Sequence, residues 1–192
     1  GHGLTWLDQT SGLRFGAPAD APLYGRSALL LVSNGLFTLS TPSGATSSIE
    51  LKDGATLYSE GTVGFYSDRG VSFSGTPTIG TRNLLLAVPS FNIGSAEALA
   101  AAGELPVGMN LNQAILDTLF AGNPAAGVPS VENLVLTATD SINFFGSVDL
   151  DTIDPATGTS RLSQLVFDSP ALYGYGDDDD LVRLTTDTLV WY

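Results

Sequence analysis

Four aspartates in a row, Asp177, Asp178, Asp179 and Asp180, end the stretch GYGDDDD. Adjacent carboxylates repel, so such a run either gathers a hard cation or splays into water. A second acid-rich stretch, DLDTID, carries Asp149, Asp151 and Asp154. Oxygen-rich turns of this kind bind calcium, but here the sixth place is not Gly and the twelfth is not Glu, so the EF-hand loop is not met. Both clusters are candidate cation ligands, and both also read as solvated surface. The aspartate run suits a wet loop that discourages neighbouring strands from adding sideways, and Asp149 and Asp151 suit the outer face of a strand. The expectation is that neither holds a metal and that the protein uses no cofactor.

Other chemistry narrows quickly. His2 is the single histidine and sits in an opening GHG that reads as an expression scar. Without a second histidine, Ser-His-Asp hydrolysis and zinc sites of the usual kind fall away together. Cysteine is absent, which removes disulfides and thiolate metal sites. Pectin-degrading β scaffolds work with aspartate clusters, or with calcium and a basic residue, yet Lys52 is the only lysine and Asp149/Asp151 have no evident convergent partner. The chain is therefore expected not to be an enzyme. Phe145, Tyr66, Tyr173, Tyr175, Trp191 and Tyr192 stand partly out of phase with the apolar pattern around them. Aromatic faces presented to solvent stack on sugar rings; they equally shield the edge of a neighbouring strand. Tyr173, Tyr175 and Phe145, with Leu116 and Phe120 from a helical stretch, are the candidate partner-binding residues.

The elements that would hold these side chains show a beat of two. In VENLVLTATDSINFFGSVDLDT, Leu134, Leu136, Ala138, Ile142, Phe144, Val148 and Leu150 alternate with polar neighbours. Such alternation marks strands with one face buried, and it places Val135, Thr137, Asn143 and Asp149 in water. Earlier runs begin at Ile49, Ala55, Val63, Val71 and Ile79, spaced 6, 8, 8 and 8 residues apart. Short strands at regular spacing predict an all-β fold. Hairpins advertise themselves with Asn-Gly or Asp-Gly, and each of these occurs once, at Asn34-Gly35 and Asp53-Gly54. Most other breaks are short corners such as SEG, SDRG and TDS. Corners of that kind suit a chain that bends and keeps coiling, three strands to a repeat of about 24 residues. The fold class expected is a right-handed parallel β-helix, six or seven coils tall, with one short α-helical insertion.

Residues 1–27 read as an irregular lead-in, 28–192 as the β-helix and 95–130 as the insertion. ALLLV, at 28–32, reads as a strand. Within the insertion, SAEALAAAGE predicts a helix with Ser95 as N-cap and Gly103 as stop. NLNQAILDTLFAG predicts a second helix, with Leu111, Ile115 and Leu119 on one stripe and Gly122 beyond its end. Both stripes should lie against the outside of the β core. The closing TDTLVWY stops within a strand pattern, which reads as a piece of a longer protein.

Composition excludes whole classes of partner. The 192 residues carry 20 acidic and 7 basic side chains, a net charge of −13, so nucleic acid and anionic lipid are both unfavourable partners. No apolar run approaches the ~20 residues of a membrane-spanning helix. With 22 Gly, 10 Pro and 43% hydrophobic residues, the chain is too apolar for disorder and too rich in turns to be mainly helical.

NLVLTATDSINFFGSVDLD resembles a repeat of the filamentous haemagglutinin-like exoproteins, which run L-x-L-x-A-x-x-x-I-x-hydrophobic-x-G-x-hydrophobic. RNLLLAVPSFNIGSAEALAAAG, with the helical stretch and the return to a similar strand, is similar to a domain of unknown function in the later portions of those proteins. The resemblance spans roughly residues 28–192 and implies a right-handed parallel β-helix and two-partner secretion through an outer-membrane transporter. It also implies a place at the surface of a Gram-negative bacterium, and a role in adhesion or contact-dependent toxin delivery. The partners implied are that transporter and a cell-surface protein or glycan receptor. Asn123-Pro124 is followed by Ala125, not Asn, so the Asn-Pro-Asn motif of the family's secretion domain is missing. A polysaccharide-binding or polysaccharide-degrading β-helix is the alternative.

Overall fold

The computed structural model describes residues 3–8, 28–33 and 48–192. His2, most of the lead-in and Asn34-Gly35 lie outside the described residues. In chain order the strands begin with β1 (Gly3–Asp8), β2 (Ala28–Ser33), β3 (Ile49–Leu51), β4 (Thr56–Tyr58) and β5 (Thr62–Tyr66). β6 (Val71–Phe73), β7 (Thr78–Gly80) and the long β8 (Asn83–Gly94) follow. Helix α1 (Ala96–Ala101), strand β9 (Gly108–Leu111) and helix α2 (Gln113–Ala121) make the middle of the chain. Beyond them come β10 (Asn133–Phe145), β11 (Val148–Asp151), β12 (Ile153–Asp154), β13 (Thr159–Ser160) and β14 (Gln164–Asp168). β15 (Leu172–Tyr175), β16 (Val182–Thr185) and β17 (Leu189–Trp191) close the described chain.

The protein is mostly β, as the alternation predicts, and most of its strand pairs are parallel. In the nine-stranded main sheet β5, β8, β10, β14 and β17 follow one another, each parallel to the next. A second row joins β3 to β6, and a third joins β4 to β7. Ile49 lies opposite Val71 and Thr56 opposite Thr78, an offset of 22 residues in each pair. Leu165 lies opposite Leu189, an offset of 24. Parallel neighbours cannot be joined by a tight turn; here the intervening residues form the strands of the other rows. Two antiparallel features stand apart from this rule. β12 and β13 form a small hairpin, and β1 and β2 add antiparallel to β5. Gly3–Asp8 is thus a strand where the sequence suggests an irregular lead-in, because its hydrogen-bond partner is β2, some twenty residues away and invisible to a local pattern.

In-register pairing stacks the inward side chains into columns. Val63, Leu84, Leu134 and Leu165 occupy one register position, and Phe65, Leu86, Leu136 and Phe167 another. All eight are buried in one continuous core, and each large side chain so buried contributes about 1.5–3 kcal/mol. The long strands β8 and β10 turn a corner midway. The register slips between Ala138 and Ser141, where Pro89 stands against two residues of β10. Proline has no N–H for the ladder, so a bulge is the economical place for it. Beyond that corner the second half of β8 pairs with β9 on one side and β10 on the other. Gly108 opens β9 at a φ of 156°, and a Cβ there would lie 1.8 Å from the Ser90 carbonyl oxygen. Only glycine lets the two backbones approach so closely.

The segment 95–130 departs from expectation. Ser95 does cap α1, its Oγ accepting from the Ala98 N–H at 3.1 Å. The second helix starts later than its apolar stripe suggests, capped by Asn112, whose Oδ1 accepts from the Ile115 N–H at 2.9 Å. Gly108–Leu111 is a strand instead, since the edge of β8 is there to pair with it. Met109, Leu111, Leu116, Leu119 and Phe120 all enter the main core, and α2 touches both β7 and β11. The segment is therefore part of the core and not a cover laid outside it. β9 prolongs the row of β8, and α2 fills the third row between β7 and β11.

Candidate functional site

The acidic side chains are placed one by one and do not converge. Asp149, exposed, pairs with Arg183 at 3.3 Å across β11 and β16. The Asp151 carboxylate accepts from the Ile153 N–H at 2.8 Å, while its backbone exchanges hydrogen bonds with the Gln113 side chain. Asp154 accepts from the Ala156 N–H at 2.9 Å and starts the turn of the β12–β13 hairpin. In the aspartate run, Asp180 closes its own loop. It accepts from the Ser147 hydroxyl at 2.7 Å and from the Asp177 N–H at 2.8 Å. These two donors, Ser147 first, hold its carboxyl below the usual carboxylate range. Asp177, Asp178 and Asp179 are exposed. Among the described residues no group of three or more His, Asp or Glu side chains is placed to hold a metal ion.

The partner-binding candidates separate into two sets. Leu116 and Phe120 are buried core residues on α2 and offer nothing to a partner. Phe145 is buried too, since both Phe144 and Phe145 lose their exposure at the corner after β10. Its ring stacks on Tyr175, centroids 4.9 Å apart, and Tyr175 in turn meets Tyr173 at 6.4 Å. Tyr173 and Tyr175 are about half exposed, and they stay on the candidate surface. Tyr66 is buried, its hydroxyl bonded to Asp68. Burial, then that bond, raise its pKa far above the ordinary tyrosine value.

Asn143 corrects the expected strand phase. It reads as a solvent-facing residue, yet it is fully buried. Register places it beside Asn92, which stands beside Asn110 of β9. The Asn143 Nδ2 donates to Asn92 Oδ1 at 3.2 Å, and Asn92 Nδ2 donates to Asn110 Oδ1 at 3.1 Å and to the Pro106 carbonyl at 2.8 Å. Three amides therefore climb through three strands as a ladder, each satisfying the next. Asn133 donates to Asn83 in the same manner at 2.9 Å. The next strand presents Tyr173 where a fourth amide would continue the ladder, and Asn143 Oδ1 is left without a partner.

The largest exposed apolar surface is the outer side of β15, β16 and β17. Leu189 and Trp191 continue the two inward columns, but they are 46% and 58% exposed, against 0% for Leu134 and 1% for Leu136. Val182, Leu181 and Tyr192 are exposed around them. No strand pairs with the far side of β15, β16 or β17 among the described residues. A different surface, a cleft about Tyr58, Glu60, Arg82 and Glu132, carries no sequence signal at all, since its residues come from β4, the β7–β8 corner and the loop before β10. Neither a family model, nor a curated protein, nor a solved structure matches this chain.

Proposed function

We propose that the chain is a right-handed parallel β-helix segment of a large secreted bacterial surface exoprotein. The proposed parent is of the filamentous haemagglutinin-like, two-partner-secretion kind, an adhesin or toxin-delivery filament, and the segment performs no catalysis. The observation that carries this reading is the exposed last row. Leu189, Trp191 and Val182 sit at register positions whose counterparts one strand below are buried. One further coil in the same register would cover them, and coils can be added without new chemistry, each needing only its neighbours.

Three other features support the same reading. Offsets of 22 to 24 residues between parallel partners match three short strands per coil. Parallel crossovers are right-handed in nearly every case, for reasons of strand twist. Amide ladders at repeated register positions tie successive coils through buried polar groups without leaving them unsatisfied. The acidic residues that invite a catalytic reading are engaged in capping their own turns or, in the case of Asp149, in a surface ion pair. On this reading the partners are an outer-membrane transporter and a receptor on another cell. Antibodies against the chain should then label intact cells of the source bacterium, and loss of the adjacent transporter gene should abolish that label. Antigen confined to the cytoplasm, or a surface label indifferent to the transporter, would overturn it.

A further inference from the structure

The third row of strands borders a cleft of about 450 Å3 that none of the acidic or aromatic motifs points to. One side is β4 with Tyr58, and beyond it Glu60. The floor is Arg82, and the opposite side is the loop Pro124–Glu132. Its volume falls within the ~300–1,000 Å3 usual for small-molecule sites.

The walls are stiff. Asn123 and Val128 exchange backbone hydrogen bonds of 3.3 and 2.9 Å, which close the loop on itself around Pro124. Val128 is pressed against Gly80, where a Cβ would lie 1.6 Å from its Cγ1. Glu132 is tied to Arg82 twice, by its N–H to the Arg82 carbonyl at 2.9 Å and by an ion pair between the side chains. The Tyr58 hydroxyl donates to Glu60 at 3.3 Å. A ligand would find these groups already in place, which lowers the ordering cost of binding.

The lining restricts what can bind. Glu60 and Glu132 against Arg82 leave one net negative charge, which repels phosphates, sulfates and uronic acids. A purely apolar ligand would strip water from two carboxylates and a guanidinium without replacing their hydrogen bonds. An uncharged molecule rich in hydroxyls meets both demands, donating to the carboxylates and accepting from Arg82. The exposed Tyr58 ring and the rings of Pro124 and Pro129 supply flat apolar faces for the C–H side of such a molecule. We propose that this cleft binds a neutral oligosaccharide, with Tyr58 as the stacking platform and Glu60, Arg82 and Glu132 as the hydroxyl-reading groups.

The proposal stands whether or not the strands continue as a β-helix in a longer filament. It is tested by titrating the purified chain with a panel of cello-, xylo-, manno- and chito-oligosaccharides, following backbone amide resonances. Polygalacturonate and heparin serve as anionic controls. At least one neutral oligosaccharide should bind saturably at concentrations up to about 10 mM, shifting the amides of Tyr58, Gly127 and Ser130. Tyr58→Ala should weaken binding about tenfold or more, and Tyr58→Phe should hold it within about twofold, because the ring and not the hydroxyl does the stacking. Tyr58 is exposed, so both variants should keep the parent's circular dichroism. Tyr173→Ala, at the other end of the stack, should bind like the parent. No binding by any neutral member, binding of the anionic controls alone, or full binding by Tyr58→Ala would each overturn the proposal.

Discussion

Two regions of the molecule share a register and differ in burial. In the middle of the main sheet, Leu134 and Leu136 of β10 have β8 on one side and β14 on the other, and both are buried. At its end, Leu189 and Trp191 of β17 occupy the same two columns with β14 beneath and no strand above among the described residues. Residue type is not the cause of the difference, since leucine stands in both places. In a stack of parallel strands, burial is a property of having two neighbours, and a column position inherits its environment from the rows around it.

The largest effect should follow from removing a row altogether. Replacing residues 96–129 by a Gly/Ser linker deletes Met109, Leu111, Leu116, Leu119 and Phe120 from the core. Each such loss is about 2–5 kcal/mol, and together they exceed the ~5–15 kcal/mol by which domains are stable. The variant should therefore lack a cooperative thermal transition. A cooperatively folded product would show that α2 is a cover after all and that the two halves stack without it.

Asn143→Asp should come next. The substitution puts a carboxylate at a fully buried place and removes the donor to Asn92. Its cost should be about 3 kcal/mol or more at neutral pH. Burial raises the pKa of such a carboxyl above its unfolded value, so the variant should recover stability as pH falls and the group is protonated. Denaturant melts at pH 4 and pH 7 would show this. A variant as stable as the parent at pH 7 would return Asn143 to the solvent side.

Leu134→Ala against Leu189→Ala tests the comparison directly. The first should lose about 2–5 kcal/mol and the second less than about 1 kcal/mol, by chemical denaturation of each. Equal losses would mean that the end of the stack is covered in solution, and therefore that β17 has a neighbour.

The smallest effect belongs to Asp180. Its carboxyl is held below the usual range by the Ser147 hydroxyl and then by the Asp177 N–H. A depressed folded pKa stabilises the fold above the unfolded value and loses that contribution as pH falls through the folded one. Asp180→Asn should therefore melt slightly below the parent at pH 7 and converge with it in strong acid. A gap that persists in acid would point to a loop change unrelated to the charge.

Period-two alternation depends only on which side chains neighbour one another along the chain, so strands, inward columns and the all-β class were readable before any coordinates. Leu134, Leu136, Ile142, Phe144, Val148 and Leu150 all face inward as their pattern predicts. The caps of the two helices are equally local, one hydroxyl or amide reaching three residues ahead. Asn143 follows a different rule. Its polarity says water, and only β8 and β9, arriving from 51 and 33 positions earlier in the chain, make an amide ladder that holds it in the interior. Leu116 and Phe120 have an apolar stripe that reads the same whether a helix caps a core or completes it, and the neighbours β7 and β11 decide. Tyr58, Glu60, Arg82 and Glu132 become one cleft only when β4, the corner before β8 and the loop before β10 are stacked, because contacts between rows join residues that no local pattern links.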